Sequence, residues 1–243
     1  MIQLHFPHQP PRTARWVSGF LLGALALVMT TWPVQASEKE ATSRITRTHS
    51  LEWGSTTRLT VVNGVGEMVV RLGSTDKIEV QVKIRGDRSW FGGRRDVADV
   101  DIEIERRGDQ LRLALKEDKI SGDWQITLPR KMLGLLEVNS GVGDLTIEAM
   151  TAKLEVDLGV GEVDARVANG IIDIDVGVGD IEIVTEQATA GAVRGSVGVG
   201  QVTITGEGVN SRGRGVVQVG AAGKGDKEIV AAAGVGDIDI RLK

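Results

Sequence analysis

The sequence predicts an all-β fold, a β-solenoid-like stack of short strands with Gly-Val-Gly corners. Three observations predict it. A short motif recurs about every 18 to 21 residues, its flanks alternate between apolar and polar residues, and no window of comparable length has helical period. The alternative is a β-sandwich meander in which the same glycines form hairpins.

The first 36 residues read as a signal peptide. Arg12 and Arg15 precede an apolar run from Trp16 to Met29, and Val34-Gln35-Ala36 supplies the small residues that a signal peptidase requires. The alternative is an uncleaved anchor, because the run approaches the roughly 17 to 25 residues that span a bilayer. We expect membrane contact only through such a leader, and residues 37–243 to form a single exported domain in the periplasm or at the cell surface.

The composition narrows the classes of function. Cysteine is absent, which excludes disulfides and a lipoprotein anchor. The leader holds two arginines and no acids, so its removal changes the net charge from −4 to −6, which argues against a nucleic-acid partner. His49 is the single histidine beyond the leader, so neither a Cys/His pair nor a multi-histidine metal site can form, and we expect no catalytic activity.

The N-terminal half of the domain, about residues 51–130, is predicted to form longer strands. Apolar and polar residues alternate from Ile78 to Ile84, from Val100 to Ile104 and from Leu111 to Leu115. This period of two is typical of half-buried strands. We expect these strands to be continuous with the repeats that follow and to form no separate domain.

The repeats occupy about residues 131–243, with one earlier copy. Five-residue copies of x-G-V-G-[DEQ] begin at Asn63, Ser140, Leu158, Val176, Val197 and Ala233. A degraded copy extends from Gln218 to Asp226. The apolar parity switches across each Gly-Val-Gly, which requires a bulge or a corner, and glycine permits either. One unit buries too little apolar surface to fold alone, so neighbouring units must stack.

These motifs together resemble the bacterial toastrack family, also labelled putative adhesins. The resemblance rests on N-G-V-G at Asn63 to Gly66, a strand ending in Q-I-T-L-P-R at Gln125 to Arg130, and the repeated S-G-V-G-D-L-T-I-E-A and V-G-V-G-D-I-E-I-V units. It covers roughly Leu51 to Lys243. It implies a β-solenoid-like stack exported to the periplasm or surface, in a family of unknown function that is proposed to serve in adhesion or envelope-stress sensing. It supplies no catalytic residues.

One loop combines aromatic and basic residues. Trp90, Phe91, Arg94 and Arg95 cluster in a chain that is otherwise mostly acidic beyond the leader. Tryptophan with arginine is the composition of a binding hot spot, so these residues are candidates for ligand or partner binding. The alternative is that the aromatic side chains cover the open end of the stack while the arginines stay solvated.

Acidic residues follow the glycines of the repeats and would form a column in a stack. The candidates for a metal site are Asp144, Glu162, Asp180 and Asp237. Stacked carboxylates are ligands of the kind that Ca²⁺ prefers. The alternative, which we favour, is that the carboxylates accept hydrogen bonds from neighbouring backbone N–H groups, as in an Asx turn.

The sequence therefore predicts an exported cell-envelope binding module, adhesin-like and without catalytic activity, whose partner is an envelope protein or glycan. A structural or stress-sensing periplasmic element that acts through a partner, with calcium as a stabilising ion, is the alternative. A glycan-active enzyme is a third hypothesis, because Asp173 and Asp175 point the same way along their strand. Such a pair is also what any solvated strand face presents.

Overall fold

The structure, a computed structural model, describes residues 42–87, 95–115, 119–130, 134–150 and 153–243, and at 149 and 150 it describes the backbone alone. Its strands are β1 (Arg44–Glu52), β2 (Arg58–Val65), β3 (Met68–Leu72), β4 (Lys77–Gly86), β5 (Glu103–Arg107), β6 (Gln110–Leu115), β7 (Ile120–Leu128), β8 (Leu135–Val142), β9 (Leu145–Met150), β10 (Lys153–Val160), β11 (Val163–Val167), β12 (Ile172–Val178), β13 (Ile181–Thr185), β14 (Ala190–Val199), β15 (Gln201–Gly206), β16 (Val209–Arg214), β17 (Val217–Ala222), β18 (Lys227–Val235) and β19 (Ile238–Leu242). Within these ranges, no helix has the length and apolar character needed to cross a membrane.

The strands form two sheets that share one core. Sheet A has the order β1-β4-β7-β3-β9-β11-β13-β19-β15-β16, and sheet B has the order β17-β14-β18-β12-β10-β8-β2-β6-β5. Each repeat contributes one strand to sheet B, turns at its Gly-Val-Gly corner, and contributes the next strand to sheet A. Repeats pair in parallel and in register, so that Val160 lies opposite both Val142 and Val178. The predicted solenoid-like stack is confirmed, and the meander with hairpins at these glycines does not form.

The core follows the alternation of the sequence. In β12, Ile172 and Ile174 are fully buried, whereas the aspartate between them is exposed. Beyond the corner, Ile181 and Ile183 are the buried residues, so the predicted change of parity is present. The inward aliphatic side chains of both sheets belong to one hydrophobic cluster, and Trp124 is the largest side chain that is fully buried in it.

The repeats are not stacked in the order in which they occur along the chain. The C-terminal unit, β18 with β19, lies between the β12–β13 unit and the β14–β15 unit. Ile229 of β18 is in register with Ile172 on one side and with Val193 on the other. The last rung to be synthesised is therefore an internal rung of the stack.

The degraded copy forms part of the end rung, and this rung runs in the opposite direction. β16 pairs antiparallel with β15, and β17 pairs antiparallel with β14. A Cβ atom on Gly213 would lie 2.4 Å from a methyl of Val217 and 2.8 Å from a methyl of Val219. The absence of a side chain at Gly213 thus lets the two sheets approach each other and close this end of the core.

Candidate functional site

The corners stack so closely that their glycines leave no room for a side chain. A Cβ on Gly159 would lie 2.5 Å from the carbonyl oxygen of Gly141 in the next rung. Gly161 has a φ of +143°, and its Cβ would lie 2.1 Å from the oxygen of Gly143. The backbones of adjacent corners are therefore in contact. The valine between the two glycines is the one corner residue with a large side chain.

These valines form an exposed apolar line, which we call the valine ridge. In the order of the stack its members are Val65, Val142, Val160, Val178, Val235 and Val199. Their exposed fractions range from 44% at Val65 to 62% at Val199. With adjacent rungs about 4.8 Å apart, the ridge extends about 24 Å along the stack.

The repetition of valine at this position is not a requirement of the core. The valine side chains are about half exposed. Five residues before Val160, the outward residue of β10 is Glu155, and the residues in register with it in other rungs are Asp173, Val230 and Arg194. This outward position therefore varies freely between rungs. The preference of valine for strands explains a valine at any one corner. It does not explain valine at all six corners beside a column that varies.

A column of residues that are acidic in five of the six rungs, with Gln201 in the sixth, lies directly beside the valine ridge, two residues further along each rung. Asp144 accepts a hydrogen bond through Oδ1 from the N–H of Glu162 at 3.0 Å, and Asp180 accepts one from the N–H of Asp237 at 2.7 Å. Asp237 accepts one from the N–H of Gln201 at 2.8 Å. Each aspartate therefore accepts a hydrogen bond from the backbone of a neighbouring rung. The alternative to calcium binding predicts acceptors of backbone N–H groups, but these bonds link separate rungs and are not Asx turns, which join a side chain to the backbone two residues on.

Calcium binding by the acidic column stays a prediction. Asp144, Glu162, Asp180 and Asp237 lie in successive rungs, as the sequence predicts. In the part of the chain that the structure describes, however, no group of three or more histidine, aspartate or glutamate side chains converges as metal ligands would.

Substitution of Asp180 distinguishes the two roles. Asp180→Ala is expected to lower the free energy of unfolding by about 1 to 3 kcal/mol, because the N–H of Asp237 loses its acceptor. Asp180→Asn retains an acceptor oxygen and should lose less than half as much. Urea unfolding followed by circular dichroism, with and without EDTA, checks both variants. Equal losses in the two variants, together with destabilisation of the wild type by EDTA, would instead indicate a bound cation.

Further from the ridge, the carboxylates on sheet A are paired with arginines. Arg166 contacts Asp164 at 2.8 Å, and Arg241 contacts both Glu182 and Asp239 at 2.8 Å. The hydrogen bond to Asp239, followed by the charges of Asp239 and Glu182, raises the pKa of the Arg241 guanidinium. These exposed pairs contribute little to stability. These pairs neutralise the carboxylates of Asp164, Glu182 and Asp239. They leave the negative charge of the acidic column beside the ridge uncompensated.

A shallow groove runs over the acidic column and over the arginine-paired carboxylates beside it on sheet A. Its volume is about 420 Å³. Its charged lining consists of Glu162, Asp164, Asp180, Glu182, Asp237 and Asp239. The valine ridge and this acidic groove together form a continuous lateral surface of the stack.

The predicted aromatic and basic loop is described in part. Trp90, Phe91 and Arg94 lie outside the described residues, so their role stays a prediction. The N–H of Arg95 donates to the carbonyl of Asp87 at 3.2 Å, which closes the base of the loop beside the end of β4. The sequence reasoning missed the valine ridge, although its signal, a valine between two glycines in every copy of the motif, was present.

Comparisons with known proteins show what the chain is similar to. Residues 91–184 match the family described as the N-terminal domain of toast_rack, DUF2154. A crystal structure of a "putative cell adhesion protein" from Clostridium sporogenes is 17% identical, with a TM-score of 0.61, and covers 83% of this chain and 100% of its own. A "putative adhesin" from Bacteroides fragilis is 16% identical, with a TM-score of 0.38, over 83% of this chain and 98% of its own. The first of these has the same fold. No curated protein matches the chain.

Proposed function

We propose that the chain, whose residues 91–184 match the family described as the N-terminal domain of toast_rack and whose fold is that of a "putative cell adhesion protein", is an exported, adhesin-like binding module of the cell envelope that catalyses no reaction. The observation that carries the proposal is the valine ridge. A continuous exposed apolar surface rimmed by polar residues marks an interaction site on a soluble protein. The partner is a component of the envelope, a protein or a glycan.

The geometry of the stack suits a binding role. Backbone contact between the corner glycines fixes the position of each valine relative to the next, so little conformational entropy is lost when a partner docks. The surface is open and extends over six rungs, and no enclosed pocket is needed for its function. A rigid, extended lateral surface of this kind is how repeat proteins commonly engage their partners.

Replacing ridge valines is expected to weaken partner capture strongly without unfolding the protein. Each half-exposed valine gains on the order of 1 kcal/mol when a partner covers it, so Val160→Ser with Val178→Ser should weaken binding about tenfold or more. The measurement is photo-crosslinking in cells from position 146, on sheet A beside the ridge, with captured species identified by mass spectrometry. Thermal unfolding of the double variant should stay close to that of the wild type.

Ile171→Ser is the matched control. Ile171 is 40% exposed between β11 and β12, at the opposite end of its rung from the ridge. A species captured by the wild type and by Ile171→Ser, but lost from the ridge variant, supports the proposal. The same species captured equally by all three proteins would show that binding occurs elsewhere.

The compartment is tested separately by adding protease to intact cells. A surface adhesin should be degraded under these conditions, whereas a periplasmic module should be degraded only after the outer membrane is permeabilised. Either result is compatible with binding through the ridge.

A further inference from the structure

The charged residues nearest to the ridge valines along the chain have one sign, and Arg214 of the end rung, which donates a hydrogen bond to Oε1 of Gln201 at 3.2 Å, lies at the Val199 end. Within four residues on either side of the six valines there are ten carboxylates and no lysine or arginine. Three of these carboxylates pair with arginines, namely Asp164, Glu182 and Asp239. The other seven have no ion pair within the described residues: Glu67, Asp144, Asp157, Glu162, Asp175, Asp180 and Asp237.

The unpaired carboxylates lie on both sides of the apolar line. The acidic column follows the valines on the sheet A side. On the sheet B side, Asp157 and Asp175 precede Val160 and Val178 by three residues and are in register with each other. Like charges one rung apart repel by about 1 kcal/mol per pair in water. A positively charged partner on the ridge would relieve this repulsion.

This pattern argues against several occupants. A second copy of the chain would bring its own carboxylate columns against these, and an anionic membrane surface would be repelled in the same way. Charge complementarity therefore favours a partner that combines an apolar line with lysine or arginine on both flanks.

An α-helix fits these dimensions. A helix of about 16 residues spans the 24 Å of the ridge at 1.5 Å per residue. Its turns repeat every 5.4 Å, close to the rung spacing of about 4.8 Å, whereas side chains on one face of an extended strand repeat every 6.6 to 6.8 Å. Lysine and arginine at the edges of an apolar stripe can extend their charged ends sideways while their stems cover apolar surface.

We propose that the ridge binds a cationic amphipathic helix of a partner protein. This inference rests on the proposed function as a binding module. The apolar stripe of the helix lies along the valines, and its flanking lysines or arginines reach the unpaired carboxylates of both sheets. The helix runs parallel to the stack axis and crosses several rungs. Binding is thus strengthened by both apolar burial and charge.

The test uses two synthetic 18-residue peptides with the same leucine stripe, one with lysine and one with glutamate at the polar positions. Titration calorimetry or fluorescence anisotropy with the purified exported protein should detect binding of the lysine peptide alone. Its affinity should fall at least tenfold between 50 and 300 mM salt, because screening weakens the exposed charges. Binding of the glutamate peptide would overturn the proposal.

Paired variants separate specific docking from general attraction to an acidic protein. Val160→Ser with Val178→Ser, and separately Asp157→Asn with Asp175→Asn, should each weaken lysine-peptide binding about tenfold. Ile171→Ser, and Asp76→Asn with Asp99→Asn, make the same kinds of chemical change at exposed positions outside the ridge and should leave the affinity within twofold of that of the wild type. Equal affinity in all four variants would show that net charge alone attracts the peptide, and would overturn the proposal.

The two proposals fail in distinguishable ways. If the ridge variant loses its cellular partner but binds the lysine peptide as tightly as the wild type does, the binding module stands and the cationic helix is wrong. If the ridge variant keeps both its cellular partner and the peptide, both proposals are wrong.

Discussion

Replacing Gly177 by alanine is expected to lower the free energy of unfolding by about 3 kcal/mol, whereas replacing Gly64 should cost less than about 1 kcal/mol. The two glycines occupy the same position in their repeats. A Cβ on Gly177 would lie 2.5 Å from the carbonyl oxygen of Gly159, and a Cβ on Gly64 would meet no atom within 4 Å. Neither residue has a positive φ, so backbone strain does not differ between them.

Urea unfolding followed by circular dichroism measures this difference, with the slope of the transition as a check on two-state behaviour. The larger loss at Gly177 would show that contact between stacked corners, rather than the intrinsic preference of glycine, accounts for the repeated motif. Equal losses at the two positions would contradict the close packing of the corners.

Deleting β18 and β19, residues 227–243, is expected to abolish the cooperative unfolding transition altogether. In a solenoid stacked in sequence order, loss of the last repeat shortens the stack and leaves the rest folded. Here the deletion removes an internal rung. The edges of β12 and β14 would be left two rung spacings apart, about 9.6 Å, which is too far for strands to pair.

The matched control removes the end rung instead. Replacing residues 208–225 by a five-residue linker deletes a similar length of chain, but only from the exposed end of the stack. This variant should remain folded with a lower melting temperature. A cooperative transition in the 227–243 deletion, comparable to that of the control, would contradict the internal position of the C-terminal rung.

The sequence predicts the local structure of the repeats well but not their spatial order. The glycine pairs and the change of parity indicate a corner, and the alternation assigns Ile172 and Ile174 to the core. Parallel register then follows, because equivalent apolar positions pack best against each other. The order of rungs does not follow in the same way. Ile229 and Val193 offer β12 the same kind of neighbour, so local pattern cannot decide between them.

Of the two parts of the candidate site, the acidic column was predictable from the sequence and the valine ridge was not. The acidic column is visible in the sequence, and its hydrogen bonds to the backbone are the interpretation that the sequence favours over calcium. The valine ridge was not predictable from alternation, because a residue between two glycines at a change of parity cannot be assigned to either face. Its exposure depends on the corner geometry. A binding role for the loop that contains Trp90 remains a prediction, which mutagenesis can test.

The internal position of the C-terminal rung also has a consequence for how the chain folds during synthesis. From β8 to β13, each new strand can pair as it emerges, since it meets a neighbour that already exists. The β14–β15 unit emerges next, but its parallel partner is completed only when residues 227–242 follow. Until then one edge each of β12, β13, β14 and β15 faces solvent, and open strand edges can pair with other chains. A chain that lacks residues 227–242 would therefore retain four edges prone to aggregation.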